Sequence, residues 1–171
     1  CDVPDIRALM DIAIDAHFRD ILTPRQIALS RSIMGLDTKL IEDATYVLIC
    51  DETTGQVAGC GGWSRRATLF GGDHTAEQRN DRLLDPATEP ARVRAMYTHP
   101  DYARRGVGRQ ILDWAEKQAR SAGFARVELM ATPSGRPFYA ACGYMALEEI
   151  VAVEDAGTIV PGWRMAKSLM V

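Results

Sequence analysis

Apolar residues near the start of the chain recur at the spacing of one helix face. That stripe consists of Ile6, Leu9, Met10, Ala13 and Ile14. It predicts an amphipathic first helix, because three- and four-residue spacings bring side chains onto one face. Thr23 as N-cap and Pro24 at the first helical position predict a second helix. We expect this helix to run through Ile27 and Ile33 and to end near Gly35.

A different pattern follows, in which apolar residues run without interruption over the length of a strand. Residues 46–50 form such a run, residues 51–55 turn the chain, and residues 56–63 are predicted to return as the second strand of a hairpin. Residues 66–89 then hold many charges and little periodicity. Connections of this length in compact domains are usually functional or disordered.

The second half of the chain alternates strands and helices. Strands are predicted over residues 93–97 and 127–131, a short helix over about 135–141, and a final hairpin between 147–153 and 163–169. The inward face of the long helix consists of Val107, Ile111, Leu112, Ala115 and Ala119, and Gly123 ends that helix. This order predicts an α/β or α+β fold, with a mixed central sheet flanked by helices, as one domain over residues 1–171. Ligands are expected at the carboxyl ends of the parallel strands.

Composition excludes several classes of protein. The 171 residues are 47% apolar and 25% charged, which is typical of a globular chain. A formal charge of −3 argues against a dedicated nucleic-acid binder, which would carry a strong basic footprint. No run approaches the roughly 18 apolar residues of a membrane helix, and the first residues resemble neither a signal nor a transit peptide. We therefore expect a cytoplasmic protein with no membrane or nucleic-acid partner.

The four cysteines are scattered along the chain, with no Cys-x-x-Cys pair and no paired histidines nearby. This pattern favours neither a metal site nor a disulfide framework, so we expect no metal. Cys50, Cys60 and Cys142 are expected to be small buried hydrophobic side chains in a reducing compartment.

The most informative stretch is residues 97–109, between a predicted strand and the long helix. Gly106 and Gly108 leave room for a close approach to the backbone, and three arginines, Arg104, Arg105 and Arg109, add forked donors. The first turn of a helix also offers unpaired N–H groups, so together these features predict a phosphate or pyrophosphate cradle. The alternative is a surface turn with solvated arginines. Neither a P-loop nor the dinucleotide Gly-x-Gly-x-x-Gly spacing is present.

Two segments resemble the signatures of one family. His99-Pro100 followed by residues 104–109 is similar to the acyl-CoA pyrophosphate loop of the GNAT superfamily of N-acetyltransferases. Residues 137–144, Pro-Phe-Tyr-Ala-Ala-Cys-Gly-Tyr, are similar to the second signature of that family. The order of elements also fits from about residue 5 to 169. The first strand of the family would precede residue 5, so we expect that strand either to be absent or to be missing from this chain.

The resemblance implies acetyl-CoA as cosubstrate and a set of residues that bind it. That cofactor-binding set is Met96, Tyr97, Thr98, Arg104, Arg105, Gly106, Val107, Gly108, Arg109 and Thr132. The main chain of residues 96–98 would contact the pantetheine arm and the thioester carbonyl. Thr132 stands where many relatives carry Asn or Ser, and its hydroxyl could equally cap the short helix.

The resemblance also implies that Tyr139 is the general acid that protonates the departing thiolate of CoA. The alternative for Tyr139 is a packed tyrosine whose hydroxyl is satisfied by the backbone. Two departures from the family stand out. Ala103 occupies a position that is normally Gln or Arg, and Arg92 occupies the position of a base Glu in some lysine-directed relatives.

An attacking amine must be neutral, so a base is needed. The candidates are Glu89, His99, Glu128, Asp73 and His74, with relay through water as an equal alternative. None of them is singled out by the sequence.

The resulting interpretation is an N-acetyltransferase that moves an acetyl group directly to the primary amine of a small molecule or a protein N-terminus. Its rival is a non-catalytic acyl-CoA-binding regulatory module. The first two helices and residues 66–89 are expected to wall the acceptor site, and a homodimer that covers a sheet edge stays open. Residues 92–109 carry five arginines and one aspartate, a net +4, which leaves −7 on the rest of the chain. Such an acidic body could attract a cationic amine.

Overall fold

The helices and strands follow the predicted order. The computed structural model describes residues 3–75 and 79–170. The helices are α1 (Val3–Phe18), α2 (Pro24–Ser30), α3 (Thr38–Glu42), α4 (Val107–Ser121) and α5 (Arg136–Ala141). The strands are β1 (Tyr46–Cys50), β2 (Val57–Ser64), β3 (Ala91–Thr98), β4 (Arg126–Ala131), β5 (Met145–Asp155) and β6 (Thr158–Ser168). A short 3₁₀ turn over Pro100–Tyr102 connects β3 to the loop before α4.

The two long helices bury the faces that the sequence predicted. The whole apolar stripe of α1 is buried, and so is that of α4, whose end is followed by Gly123 at a φ of 94°. The start of α2 is also as predicted, with a capping box between Thr23 and Gln26. Within the described ranges, no helix combines the length and the apolar content needed to cross a membrane.

The second helix is shorter than predicted, and α3 was not predicted at all. The helix α2 ends at Ser30, where the hydroxyl bonds the carbonyl of Gln26 at 2.8 Å and the chain tightens, so that the N–H of Ile33 bonds the Ser30 carbonyl at 3.1 Å. The prediction that it continues to Gly35 is therefore wrong. The five-residue α3 is capped by Asp37, whose carboxylate accepts from the N–H of Lys39 at 3.1 Å.

The six strands form one mixed sheet in the order β1-β2-β3-β4-β6-β5. The β3–β4 pair is parallel and the other four neighbouring pairs are antiparallel. This confirms the predicted mixed sheet flanked by helices. Residues 3–45 contain helices and turns and no strand, so the sheet begins with β1. Cys60 and Cys142 are buried as expected, whereas Cys50, at the end of the outer strand β1, is exposed.

Helices cover both faces of the sheet. The helix α1 packs on one face, in a cluster with Cys60 and Tyr97. The helix α4 packs on the opposite face, because a β carbon on Gly59 or Gly61 of β2 would lie within 2.6–2.7 Å of its side chains. Since side chains alternate along a strand, Cys60 and its two glycine neighbours point to opposite faces. The small residues of β2 therefore let α4 approach the sheet closely.

Two irregularities open the sheet beside β3. The strand β3 carries a bulge at Ala95, which has a φ of 51° and lies with Met96 opposite the single residue Gly61 of β2. The hydroxyl of Tyr46 reaches across and donates to the carbonyl of Ala95 at 3.0 Å. On the other side, β3 pairs with β4 only at its first two residues among those described. Beyond that point the two parallel strands diverge and leave a cleft.

Candidate active site

The cleft beside β3 has a volume of about 690 Å³. Its walls come from α1, residues 33–35, residues 69–71, β3, the start of α4 and residues 130–141. It therefore lies at the carboxyl ends of the parallel strands, where the topology predicted a ligand. Nearly all of the predicted site residues line it, namely Met96, Tyr97, Thr98, Arg104, Gly106, Val107, Gly108, Arg109, Thr132 and Tyr139.

The start of α4 has the features of an anion cradle. Gly106 adopts a φ of 85° and has no side chain that could cap the helix. The first N–H groups of α4 are therefore left without a side-chain cap, at a helix start that lines the cleft. Arg104 and Arg109 are exposed and line the cleft. A β carbon on Gly108 would lie 3.3 Å from the ζ carbon of Phe138, so the glycine keeps this end open.

Arg105 differs from its two neighbouring arginines. It does not line the cleft, and its guanidinium lies over the ring of Tyr102, 5.4 Å from the ring centroid. Its side chain therefore supports the turn before α4, and a role in anion binding would fall to its main chain.

Main-chain and side-chain groups of residues 97 and 98 have different surroundings. The buried hydroxyl of Tyr97 accepts from the N–H of Gly35 at 3.1 Å, which ties β3 to the segment after α2. Burial raises the pKa of Tyr97, so this phenol stays neutral. The carbonyl of Thr98 accepts from Nε2 of His17 on α1 at 2.9 Å. A carbonyl oxygen has two lone pairs, so one acceptor position of Thr98 remains for a ligand.

The hydroxyl of Tyr139 is distinguished by the absence of a partner. The other four of the five tyrosines each use the hydroxyl in a hydrogen bond within the chain: Tyr46, Tyr97, Tyr102 and Tyr144. Among the described residues, the Tyr139 hydroxyl has none, and the side chain lines the cleft. The ring is held by edge contacts to Phe138 and Tyr144, with centroids 5.1 and 5.7 Å away. Burial raises the pKa of Tyr139, so it keeps its proton.

Thr132 has the local role that the sequence left open. Its hydroxyl accepts from the N–H of Gly135 at 3.1 Å and lies 3.2 Å from the hydroxyl of Ser134. The side chain therefore supports the turn into α5 while also lining the cleft.

None of the five candidate bases lines the cleft within the described part of the chain. Glu89 forms a forked ion pair with Arg82, which lowers the pKa of Glu89 to about 2 and makes it a weak base. Glu128 lies in the sheet and is paired with Arg92 at 2.5 Å. Asp73 accepts a hydrogen bond from the N–H of Thr38. Both ring nitrogens of His99 have hydrogen-bond partners. His74 is the fifth candidate.

The structure brings residues into the cleft that the sequence did not single out. Five apolar side chains line the end next to α1: Ile14, Phe18, Met34, Leu69 and Phe70. His17 lies among them. Arg94 fixes this wall, since its guanidinium donates to the carbonyls of Thr68 and Gly71 at 3.0 and 2.6 Å and to Asp37 at 2.8 Å. Burial lowers the pKa of Arg94, although Asp37 opposes that change.

Carboxylates are missing from the cleft wall as far as the chain is described. The expected acidic surroundings of the acceptor therefore do not extend into the cleft. Within residues 3–75 and 79–170, no group of three or more His, Cys, Asp or Glu side chains is placed to hold a metal ion.

Comparisons with known proteins agree with the fold. The model of the acetyltransferase (GNAT) family matches residues 6–144. A GCN5-related N-acetyltransferase from Rhodopseudomonas palustris is similar in structure, with a TM-score of 0.68 and 19% identity over 98% of this chain and 89% of that one. No curated protein sequence matches significantly.

Two further solved structures have the same fold. A phosphinothricin acetyltransferase from Sinorhizobium meliloti, in complex with AcCoA, has a TM-score of 0.60 and 16% identity over 98% of this chain and 85% of that one. A ribosomal-protein-alanine N-acetyltransferase from Brucella melitensis has a TM-score of 0.60 and 14% identity over 98% and 96%. One of these relatives modifies a small molecule by name and the other a protein.

Proposed function

The chain belongs to the acetyltransferase (GNAT) family, and on that premise we propose that it transfers an acetyl group from acetyl-CoA directly to a primary amine. The acceptor would be a small molecule or a protein N-terminus. In support, one structural relative is named as a phosphinothricin acetyltransferase and another as a ribosomal-protein-alanine N-acetyltransferase. Acetyl-CoA is supported by relatives solved with AcCoA or coenzyme A and by the cradle at the start of α4.

The cradle would hold the pyrophosphate of the cosubstrate. The N–H groups of Val107, Gly108 and Arg109 and the positive end of the α4 dipole favour an anion there. Arg104 and Arg109 would add charge-assisted hydrogen bonds. The pantetheine arm would run along residues 96–98, where the bulge leaves main-chain groups outside the ladder with β2.

In the proposed reaction, the neutral amine nitrogen forms a bond to the thioester carbonyl carbon, the nitrogen gives up one proton to water, and the carbon–sulfur bond then breaks. Main-chain donors at the bulge would stabilise the negative charge that develops on the carbonyl oxygen. Tyr139 would donate its proton to the departing sulfur. Transfer is direct in this proposal, because the one serine on the cleft wall, Ser134, lies beside Thr132 rather than beside a base.

The observation that carries this proposal is the hydroxyl of Tyr139. The hydroxyls of the other four tyrosines each have a partner within the protein, whereas the half-buried Tyr139 has none among the described residues. A hydroxyl that has no partner and lies in the same cleft as an anion cradle is available to form a hydrogen bond with a ligand. Burial raises the pKa of Tyr139, so the phenol is protonated at neutral pH.

Two measurements test the proposed function. Acetyl-CoA should raise the melting temperature while NAD and ATP should not, because binding to the native state alone stabilises it. A panel of amines should then be screened for release of the CoA thiol. Stabilisation by acetyl-CoA without thiol release from any amine or peptide would instead establish the non-catalytic binding module, and no stabilisation at all would remove both readings.

A further inference from the structure

The described side chains at the end of the cleft next to α1 are mostly apolar, with His17 as a polar exception. Its walls are Ile14 and Phe18 from α1, Met34 from the segment after α2, and Leu69 and Phe70 from the long connection. Ile14 and Phe18 are buried at 3% and 2% exposure, so this is a packed wall rather than a loose surface. We call these five side chains the acceptor wall, because the cradle and α5 line the opposite end of the cleft.

The described carboxylates near the acceptor wall already have partners within the protein. Asp37 is 1% exposed and is paired with Arg94 and Arg79. Asp73 accepts from the N–H and the hydroxyl of Thr38 at 2.8 and 3.0 Å. Neither carboxylate lines the cleft. Among the described residues, no carboxylate lines this wall for an ammonium group to pair with, so the loss of its water there would be strongly unfavourable.

From these observations, and resting on the proposed function, we infer that the acceptor is a primary amine carried on an apolar group, with no second positive charge. A monoamine carries a single positive charge, which is gone once its ammonium group has given up one proton at the cleft. A diamine, a polyamine or an aminoglycoside would keep at least one further ammonium group, for which the described wall holds no carboxylate. Both a free apolar amine and a peptide N-terminus with an apolar first side chain have the required chemistry.

A matched pair of acceptors tests this inference. Hexylamine and 1,6-diaminohexane have the same chain length and differ by one ammonium group. We expect kcat/KM for hexylamine to exceed that for the diamine by about tenfold or more, the discrimination expected when one polar group is left unpaired. Peptides that begin with Phe or with Lys form a second arm, and whichever arm reacts faster identifies the source of the amine.

A matched pair of variants keeps the test specific to the acceptor wall. Met34→Glu places a carboxylate there, and Met34→Gln places a neutral group of the same size. Met34→Glu should shift the ratio of the two kcat/KM values toward the diamine by roughly fivefold or more, and Met34→Gln should not. If the wild-type protein acetylates the diamine as well as hexylamine, the inference is wrong while the proposed function stands. If no amine or peptide releases thiol, the proposed function fails and this inference fails with it.

A separate observation concerns His17. Its Nε2 lies 2.9 Å from the carbonyl of Thr98, which can only accept, so Nε2 carries a proton. In the neutral ring Nδ1 is then the basic nitrogen. Within the described residues Nδ1 has no hydrogen-bond partner, and His17 lines the cleft beside the acceptor wall. The geometry points to His17 as the base that takes the proton from the amine through Nδ1.

The other charged and titratable groups that line the cleft or pack behind it are unsuited to that task. They are Arg94 and Tyr97 on β3, Tyr102 and Arg104 in the turn that follows, Arg109 on α4, Tyr139 on α5 and Cys60 on β2. On the side of α1 toward α2, Arg31 is paired with Asp11 and Asp15. The arginines stay protonated, and burial raises the pKa of Tyr97, Tyr139 and Cys60, so none of these three is a base at neutral pH.

His17→Gln tests the role of the base, because the amide can still donate to Thr98 but cannot take a proton. At pH 7 we expect kcat/KM for benzylamine to fall about tenfold or more, and that for aniline, which is already neutral, to fall less than about threefold. The benzylamine rate should recover at alkaline pH, where this amine is neutral in solution. Equal losses for both amines, or no recovery at alkaline pH, would show that His17 only supports the fold.

Discussion

Replacing Tyr139 by Phe removes one oxygen atom that has no hydrogen-bond partner among the described residues. The loss should therefore leave the free energy of unfolding within about 0.5 kcal/mol of the parent value. If the hydroxyl protonates the leaving thiolate, kcat should fall by about 10²–10⁴, which corresponds to roughly 3–5 kcal/mol in the transition state. If the Tyr139 hydroxyl acts in catalysis, Tyr139→Phe should therefore lose most of its turnover rate and almost none of its stability.

The neighbouring Tyr144 provides a matched control for Tyr139. Its hydroxyl donates to Glu116 at 3.0 Å, and that carboxylate is only 8% exposed. Tyr144→Phe should therefore destabilise the fold by about 1–3 kcal/mol, since it weakens the satisfaction of a buried charge. At roughly 2–4 °C per kcal/mol for a chain of this size, the melting temperature should fall by about 2–12 °C. Turnover should not change, because Tyr144 does not line the cleft.

The assay pairs thiol release at saturating acetyl-CoA with thermal and urea unfolding of the three proteins. We expect Tyr139→Phe to lose turnover rate without losing stability, and Tyr144→Phe to lose stability without losing turnover rate. If Tyr139→Phe turns over at the parental rate, the general-acid role is refuted. If it unfolds as easily as Tyr144→Phe, the hydroxyl of Tyr139 has a structural partner and the reasoning from its isolation is wrong.

Three further predictions follow from packing, charge and the cradle. Gly59→Ala should destabilise by about 1–3 kcal/mol in urea unfolding, because its β carbon would lie 2.6 Å from a side chain of α4, and a change below about 0.5 kcal/mol would contradict that contact. Arg66 lowers the pKa of Asp43, so this pair stabilises the fold above the unfolded pKa near 3.9 and the stabilisation is lost as pH falls through the lower folded value. The difference in free energy of unfolding between the parent and Asp43→Asn should therefore be constant from pH 5 to 7 and shrink below about pH 4. A difference that grows in acid would contradict the lowered pKa of Asp43. Arg104→Ala combined with Arg109→Ala should weaken CoA binding by at least about tenfold in calorimetry, with unchanged affinity ruling out the cradle.

Sequence patterns predicted the parts of this fold that local chemistry determines. The stripe of α4 repeats with the period of a helix and ends at Gly123, so both its buried face and its end were predictable. The capping box at Thr23 likewise lies within four residues. The end of α2 was not predictable in the same way, because it depends on a side-chain hydrogen bond of Ser30 that competes with the helix.

Features that depend on distant contacts were missed. The short helix α3 is too brief to show a period, and its capping residue Asp37 is held by Arg94, 57 residues away in the chain. His17 looked like an ordinary helix residue, because its partner Thr98 lies 81 residues away. The signatures of the family predict the cradle and the role of Tyr139, and the structure places these residues on one cleft. No local pattern marks the acceptor wall, whose members come from three separate segments.

The bulge at Ala95 explains how one strand can serve both ends of the cleft. Val93 and Tyr97 are four residues apart and would share one face of a regular strand. Instead Val93 packs in the cluster with α4, and Tyr97 packs in the cluster with α1. The extra residue shifts the alternation, so that the segment after the bulge presents Met96 toward α4 and Tyr97 toward α1.

That shift has a consequence for catalysis. The main chain between the two faces leaves the ladder with β2 at the bulge, beside the point where β3 and β4 diverge. A thioester held from the α4 side and an amine approaching from the α1 side would therefore meet at the same few peptide groups. The hydrogen bond from Tyr46 to the carbonyl of Ala95 holds those groups in place, so under the proposed function the sheet itself, rather than a loop, would determine where the reaction occurs.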